Sequence, residues 1–131
     1  MIYYGGVAKN KYVLADYTVF DGEFRAKFQQ IANSSIPDGA IKATKGDSYT
    51  CYMKSNSDGY SFGCMVSPLI SSDIPNAFIE KLQEKAYRHL DYGTDGDTGS
   101  TSRNLTKLIK EVIVMLCTKY RMIRRKIAWI R

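Results

Sequence analysis

The sequence predicts an α+β domain whose elements follow the order ββα-βββα, followed by a basic helical tail. Strand-type residues alternate in Tyr49–Met53 and again in Tyr60–Val66, and the turn sequence Asn-Ser-Asp-Gly lies between them, which indicates a β-hairpin. A helical pattern opens at Pro75 directly after this hairpin. Upstream, the same reasoning gives strand, strand, helix, strand. This order describes a small and specific topology rather than a general α/β pattern.

Each element is supported by its own pattern. Alternating residues with turn signals between them predict strands, and apolar residues recurring every three or four positions predict helices. The segment after the first helix is rich in Ser, Pro, Asp and Gly, which ends that helix. In order, the predicted elements are strands Ile2–Ala8 and Tyr12–Tyr17, helix Phe20–Ala32, strand Ile41–Lys45, the hairpin Tyr49–Val66 and helix Pro75–Tyr87.

The first strand carries apolar side chains at neighbouring positions, which point to opposite faces of a sheet. Ile2, Tyr3, Tyr4 and Val7 are examples. A helix on one face alone would leave half of these side chains in water. The two predicted helices are therefore expected on opposite faces of one antiparallel sheet.

The charge of +6 is distributed unevenly along the chain. Residues 1–102 carry ten basic and twelve acidic side chains, whereas residues 103–131 carry nine basic side chains and one acidic side chain. This asymmetry is typical of a tail that meets an acidic partner, although an ordinary solvated helix face gives the same composition. The sequence is accordingly divided into a domain over residues 1–90, a Gly-rich linker over 91–103 and a basic amphipathic helix over 104–131.

The C-terminal helix carries an apolar stripe and a basic patch. An exposed stripe of this length promotes aggregation, so it is expected to dock on the chain's own domain or on a neighbouring copy. The stripe comprises Leu105, Ile109, Val112, Leu116 and Ile123, and the basic patch comprises Arg121, Arg124, Arg125 and Lys126.

The sequence contains none of the usual signatures of an active site. It lacks a phosphate-binding loop, a dinucleotide-binding fingerprint and a nucleophile elbow, and it shows no metal-ligand spacing. We therefore expect no enzymatic activity, no cofactor and no bound metal. The three cysteines, Cys51, Cys64 and Cys117, are odd in number and show no CxxC spacing, which argues against a disulfide framework or a zinc site. Cys51 and Cys64 could face each other across the hairpin, but they are expected to be reduced and structural. No apolar run is long enough for a transmembrane helix.

The order of elements resembles the longin domain of longin-type R-SNAREs, the vesicle-associated membrane proteins, and the second-helix segment is similar to that of plant and protist members. Three segments carry the resemblance: IYYGGVAKNKYVLADYT at the opening hairpin, DGYSFGCMV at the fifth strand, and IPNAFIEKLQEKAY at the second helix. The resemblance covers residues 1–90. It implies a profilin-like, five-stranded antiparallel sheet with one helix on one face and two on the other.

The resemblance also implies a function. Longin domains are non-enzymatic regulatory modules of vesicle-mediated transport, membrane fusion and exocytosis that bind SNARE motifs or trafficking adaptors. They use a groove between the first helix and the third strand, and the chain would act in the cytoplasm at the surface of vesicles or endosomes. Carried over by position, the groove is formed by outward-facing side chains of Phe20–Ile31 and Ile41–Lys45. The residues singled out for it are Phe20, Phe24, Phe28, Ile31, Ile41 and Ala43.

Other readings of the chain remain open. The domain is alternatively a profilin-like scaffold subunit of a coat adaptor, tether or exchange-factor complex. The tail is either the third longin helix or the start of a coiled-coil SNARE motif, with Arg125 or Lys126 near the central layer position. An anionic membrane surface is a further candidate partner of the basic patch, whereas nucleic acid is not expected to be one.

Overall fold

The computed structural model describes residues 2–10, 12–19, 23–34, 39–90 and 98–130, and it describes their side chains except in 88–90, 98–102 and 120–130. Within these ranges the chain forms five strands and three helices. They are β1 Ile2–Lys9, β2 Tyr12–Thr18, α1 Phe24–Asn33, β3 Ile41–Lys45, β4 Thr50–Ser55, β5 Tyr60–Val66, α2 Asp73–Leu90 and α3 Thr98–Ile130.

The five strands form one sheet with the spatial order β2-β1-β5-β4-β3. All neighbouring strands pair antiparallel. The opening hairpin joins the β3-β4-β5 meander through β1 and β5, whose pairing runs from Ile2 opposite Val66 to Lys9 opposite Tyr60. β2 and β3 are therefore the edge strands. This topology confirms the predicted five-stranded antiparallel sheet.

The helices lie on both faces of the sheet. A Cβ built on Gly5 would meet Phe78 of α2 and Ile109 of α3, whereas a Cβ on Gly6 would meet Phe28 of α1. Because successive strand residues point to opposite faces, α1 occupies one face and α2 and α3 occupy the other. We call these the α1 face and the α2–α3 face. The prediction that the first two helices pack on opposite faces is confirmed.

Each face has its own apolar cluster. Among the described residues, the cluster on the α1 face comprises Tyr4, Ala8, Phe28, Cys51, Met53 and Met65. The cluster on the α2–α3 face is larger and comprises Ile2, Val7, Ala15, Phe62, Cys64, Val66, Phe78, Ile79, Leu82, Ala86, Leu105, Ile109, Val112, Ile113 and Leu116. The predicted docking residues Leu105, Ile109, Val112 and Leu116 thus lie within the body of the domain.

The α1 helix packs closely on the sheet because two glycines lie beneath it. Gly6 of β1 is opposite Gly63 of β5 in the strand register. A Cβ on Gly6 would lie 3.0 Å from the ring of Phe28, and a Cβ on Gly63 would lie 2.9 Å from it. With no side chains at these two positions, the ring of Phe28 rests directly on the backbone at the centre of the sheet.

Gly63→Ala is expected to lower the free energy of unfolding by about 3 kcal/mol through overpacking. The added methyl would lie 2.6 Å from the carbonyl oxygen of Tyr52 as well as against Phe28, and that carbonyl belongs to the neighbouring strand. Chemical denaturation measures the loss. Gly39→Ala is the control, because a Cβ added at Gly39 would have no atom within 4 Å. This substitution costs only the backbone strain of a left-handed conformation, at φ +77°, which is about 1 kcal/mol. Equal losses in the two variants would contradict the steric explanation.

Two turns are tied together at one end of the sheet. The backbone N–H of Asn10 donates to the carbonyl oxygen of Gly59 at 2.8 Å. Both residues adopt positive φ, 56° at Asn10 and 87° at Gly59. The side-chain oxygen of Asn56 accepts the N–H groups of Asp58 and Tyr60 at 3.0 Å each, which closes the predicted turn between β4 and β5. These bonds fix the ends of the two hairpins relative to each other.

The helix boundaries differ from the predicted ones at their N-terminal ends. α1 begins at Phe24 rather than at Phe20, with Glu23 as an N-cap that makes no side-chain capping bond. α2 begins at Asp73, two residues before Pro75. This agrees with the preference of proline for the first turn of a helix, where its missing N–H costs no bond. α3 begins at Thr98, inside the predicted linker over 91–103. Gly99 then lies inside the helix. One glycine costs a helix only about 1 kcal/mol, and the long helical segment that follows offsets this cost.

The cysteines are free thiols, and Cys51 and Cys64 are buried. In the β4–β5 register Cys64 is opposite Tyr52, and Cys51 is opposite Met65. The two thiols therefore lie on opposite faces of the sheet and belong to different apolar clusters. This placement agrees with the expectation of small, reduced core residues.

The stability of the domain is expected to fall in alkaline solution because of these thiols. Burial raises the pKa of the Cys51 thiol to about 12 and raises the pKa of Cys64 well above its usual range. The folded state therefore keeps protons that the unfolded state releases above about pH 9. The resulting stabilisation is fully present below about pH 9 and is lost as the pH rises toward the folded-state pKa.

We expect a loss of about 1 kcal/mol per buried thiol between about pH 8 and about pH 10, measured by urea denaturation. In Cys51→Ala this dependence on pH should become shallower. An identical pH dependence in the variant and the parent would refute the linkage.

Candidate functional site: the groove between α1 and β3

The α1 helix covers only one side of its face of the sheet. It packs over β1 and β2, and β3 lies at the opposite edge. On β3, Lys42 is opposite Met53 and Thr44 is opposite Cys51. Since Met53 and Cys51 belong to the cluster on the α1 face, Lys42 and Thr44 point to that face. Lys42 is exposed and Thr44 is half-buried, so this part of β3 is accessible beside the helix.

Aromatic residues form the wall of this groove at the N-terminal end of α1. The rings of Phe24 and Tyr49 meet edge to face with centroids 6.3 Å apart. The Nζ atom of Lys27 lies 5.3 Å from the centroid of the Tyr49 ring, within range of a cation–π interaction. The rings of Tyr3 and Tyr4 lie 6.0 and 6.1 Å from that of Phe24. Tyr3, Phe24 and Tyr49 are half-buried and form the exposed part of this wall, with Tyr4 buried beneath them. The wall is bordered by the positive charge of Lys27.

Tyr49 owes its position to a glycine in the turn between β3 and β4. The N–H of Gly46 donates to the carbonyl oxygen of Tyr49 at 2.8 Å. A Cβ on Gly46 would overlap the Tyr49 ring, so only glycine allows the ring to fold over this turn toward α1.

Polar contacts anchor the opposite side of α1 to β2. The hydroxyl of Tyr4 donates to the carboxylate of Asp16 at 2.9 Å, and the same carboxylate lies 3.8 Å from the guanidinium of Arg25. Burial and the neighbouring Asp16 carboxylate raise the pKa of Tyr4 well above its usual range. Tyr4 is therefore a neutral donor at physiological pH. Arg25 points toward β2. Lys27 and Ile31 lie on the other side of the helix and therefore point toward β3.

The structure brings together some of the predicted groove residues and separates others. Phe24 and Ile31 are half-buried at the edge of the α1-face cluster. Phe28 is fully buried beneath the helix and is a core residue rather than part of a surface. Phe20 lies outside the described residues.

The prediction for the strand side of the groove requires correction. Ile41 packs against the cluster on the α2–α3 face, and Ala43, two residues away, is opposite Tyr52 of that cluster. Both residues therefore point away from α1. The residues of β3 that point toward the groove are Lys42 and Thr44. Alternation along the sequence identifies which residues share a face, but the face itself depends on the pairing with β4.

We refer to the α1–β3 groove by its observed residues, Phe24, Lys27, Ile31, Lys42, Thr44 and Tyr49. Lys27, Lys42 and Thr44 lie within the two segments that were expected to border the groove but were not singled out, and Tyr49 lies outside both segments. In the sequence, the glycine at position 46 three residues before Tyr49 was the one local feature that could have indicated an aromatic ring folded over this turn. The groove as a whole is suited to bind a segment with apolar and acidic side chains.

The predicted tail residues occupy two environments. Leu105, Ile109, Val112 and Leu116 are buried, and on the outer side of α3 Val114 and Met115 are exposed. Ile123 and the basic patch of Arg121, Arg124, Arg125 and Lys126 lie in the part of α3 whose side chains are outside the description.

Two kinds of feature are absent from the described residues. No group of three or more His, Cys, Asp or Glu side chains is arranged to hold a metal ion in the ranges that the structure describes. Within the same ranges, no helix combines the length and the apolar character that crossing a membrane requires.

Comparisons with known proteins support the fold. No protein family matches the sequence, and no curated protein matches it. Among solved structures, the chain is similar to the one reported as the identification of the yeast R-SNARE Nyv1p as a novel longin domain protein. The TM-score is 0.56 at 13% sequence identity, over 95% of this chain and 93% of that chain. This likeness shows that the chain has the longin fold, as the sequence predicted.

Proposed function

We propose that this chain is a non-enzymatic regulatory module of vesicle traffic that binds SNARE motifs or trafficking adaptors through the α1–β3 groove. The observation that carries the proposal is the longin fold shared with a yeast R-SNARE, combined with a groove that the fold leaves accessible on the α1 face. Partly exposed aromatic residues such as Phe24 and Tyr49 are enriched at protein-binding surfaces. The proposed surface is the observed groove rather than the set that includes Ile41 and Ala43.

The proposal includes a role for α3. The likeness to the yeast protein extends over 95% of the chain and so includes much of this helix. Four of the five predicted stripe residues are buried against the sheet and α2. Both observations favour α3 as the third helix of the domain over the start of a SNARE motif. The proposed organisation is then a domain that comprises residues 1–90 and the first part of α3, connected by a linker that ends near Thr98.

We place the protein in the cytoplasm at the surface of vesicles or endosomes. The support is the R-SNARE identity of the yeast protein with the same fold and the excess of basic residues in 103–131. A basic segment is attracted to anionic lipid by about 1 kcal/mol per residue near the surface. In this arrangement the basic patch contributes to membrane proximity, and the groove selects the partner.

The proposal is tested by two substitutions at neighbouring positions of β3. Thr44→Arg places a large side chain in the groove, and Ala43→Arg adds the same side chain and charge on the other face of the sheet. Titration of the purified full chain with a panel of SNARE-motif and adaptor peptides gives the affinities. We expect Thr44→Arg to weaken binding about tenfold or more, because its side chain fills the groove and central interface residues have effects of this size. Ala43→Arg lies outside the groove and should not weaken binding.

Equal effects of the two arginines would place binding outside the groove. Failure of every peptide in the panel to bind the parent chain would refute the proposed function. Unchanged circular dichroism and melting temperature in both variants would show that the comparison concerns binding and not folding.

A further inference from the structure

The two edges of the sheet differ in how they are covered. β2 contacts α1 on one face and α3 on the other, whereas β3 packs along β4. Lys42, Ala43 and Lys45 of β3 are exposed. An edge strand carries backbone N–H and C=O groups that point away from the sheet and can pair with an added extended segment. Among the described strands, β3 is therefore the edge that is suited to strand addition.

Positive charge lies on both faces of this edge. Lys42 points to the α1 face, where Lys27 also lies beside Tyr49. Lys45 points to the other face, and so does Lys54, which is opposite Ile41 in the β3–β4 register. Across Ile41–Ser55 the sequence contains three lysines and one acidic residue. An added strand would therefore have basic side chains near it on either face.

These observations exclude two occupants on grounds of charge. A second copy adding its own β3 would bring two lysines from each chain into a five-residue interface, and like charges across a strand pair are destabilising. The chain's own basic segment Arg121–Lys126 has four basic residues among six, so it carries the same sign of charge as the edge. The fitting occupant is an acidic segment from another protein.

We propose that β3 accepts an extended acidic segment of another protein as a sixth strand of the sheet, next to the α1–β3 groove. This inference rests on the proposed function and deepens it, because it gives the chemistry and the conformation of the partner segment. Main-chain hydrogen bonds to β3 provide the pairing, and Lys42 and Lys45 select acidic side chains on the two faces. Exposed charges are screened by salt over about 10 Å at 0.1 M, so the selection weakens as ionic strength rises.

The test uses the full chain and three synthetic peptides of about seven residues, a common strand length. In the first, pairs of Glu alternate with pairs of Val, so that Glu lies on both faces of an added strand. The second has Lys in place of Glu, and the third is the acidic peptide with alternate backbone nitrogens methylated. Fluorescence anisotropy at low and high NaCl gives the affinities, and amide NMR shifts locate the binding. We expect the acidic peptide to bind at β3, the basic peptide not to bind, and the methylated peptide to bind much more weakly.

The variant Lys42→Glu/Lys45→Glu reverses the charge of the edge. It should reduce the affinity for the acidic peptide about tenfold, which corresponds to two modest ion pairs in exposed positions. The matched control is Lys107→Glu/Lys119→Glu, which makes the same change in net charge at two exposed positions of α3. The control should keep the affinity of the parent at equal ionic strength.

Three results would overturn the proposal: equal affinities for acidic and basic peptides, equal weakening by the two charge reversals, or full binding of the methylated peptide. The proposed function would survive such a result if SNARE-motif or adaptor peptides still responded to Thr44→Arg. If those peptides fail and the acidic peptide binds as expected, β3 is a strand-addition site without the proposed partners.

Discussion

Phe28→Ala is expected to lower the free energy of unfolding by about 3–5 kcal/mol, the largest effect among single substitutions in α1. The ring is completely buried and rests on Gly6 and Gly63. The adjacent backbone has no side chains with which to fill the space that the ring leaves. The cavity therefore cannot collapse easily, and the loss should lie in the upper part of the range. Denaturation in guanidinium chloride measures it.

Phe24→Ala is the matched control for this prediction. Phe24 is an aromatic residue one helical turn earlier, but it is half-buried, so its removal should cost clearly less. Similar losses at the two positions would contradict the assignment of Phe28 to the core and of Phe24 to the groove.

The second large effect is expected on the other face of the sheet, where Ile109→Ala should cost about 2–5 kcal/mol. Ile109 is completely buried, and its side chain lies above Gly5 between β1 and α2. Val114 is 53% exposed on the outer side of the same helix, so Val114→Ala should change stability by less than about 0.5 kcal/mol. Urea denaturation of the two variants tests the docking of α3.

The loss at Ile109 should be the same at low and at high NaCl. Apolar burial is not screened by salt, whereas contacts between exposed charges are. A loss that vanished at high salt would show that charge, and not the apolar stripe, holds α3 on the sheet.

Much of this architecture could be predicted from local patterns. The turn sequence before Tyr60 and the alternation on either side of it were sufficient to predict the β4–β5 hairpin, which the structure shows with Gly59 at φ 87°. The apolar spacing of Leu105, Ile109 and Val112 likewise predicted one buried stripe. In these cases a residue's role follows from its neighbours in the sequence.

The groove was harder to predict because it depends on contacts between distant segments. Ile41 and Ala43 were assigned to the groove by position, but the pairing of β3 with β4 shows that the face they share is turned away from α1. Tyr49 enters the groove because of a turn at Gly46 and a contact with Phe24, which lies more than twenty positions upstream. Charge and periodicity do not contain this information.

The division of the apolar core by the sheet has a consequence for how the domain opens. Among the described residues, the cluster on the α1 face has six buried members and the cluster on the α2–α3 face has fifteen. Opening free energies within a fold follow the amount of buried apolar contact, so α1 forms the cooperative unit that detaches at lower cost. That unit also forms one wall of the groove. A bound partner would therefore contact the least stable element of the fold. Part of the partner's binding free energy would then appear as a decrease in the local unfolding of α1.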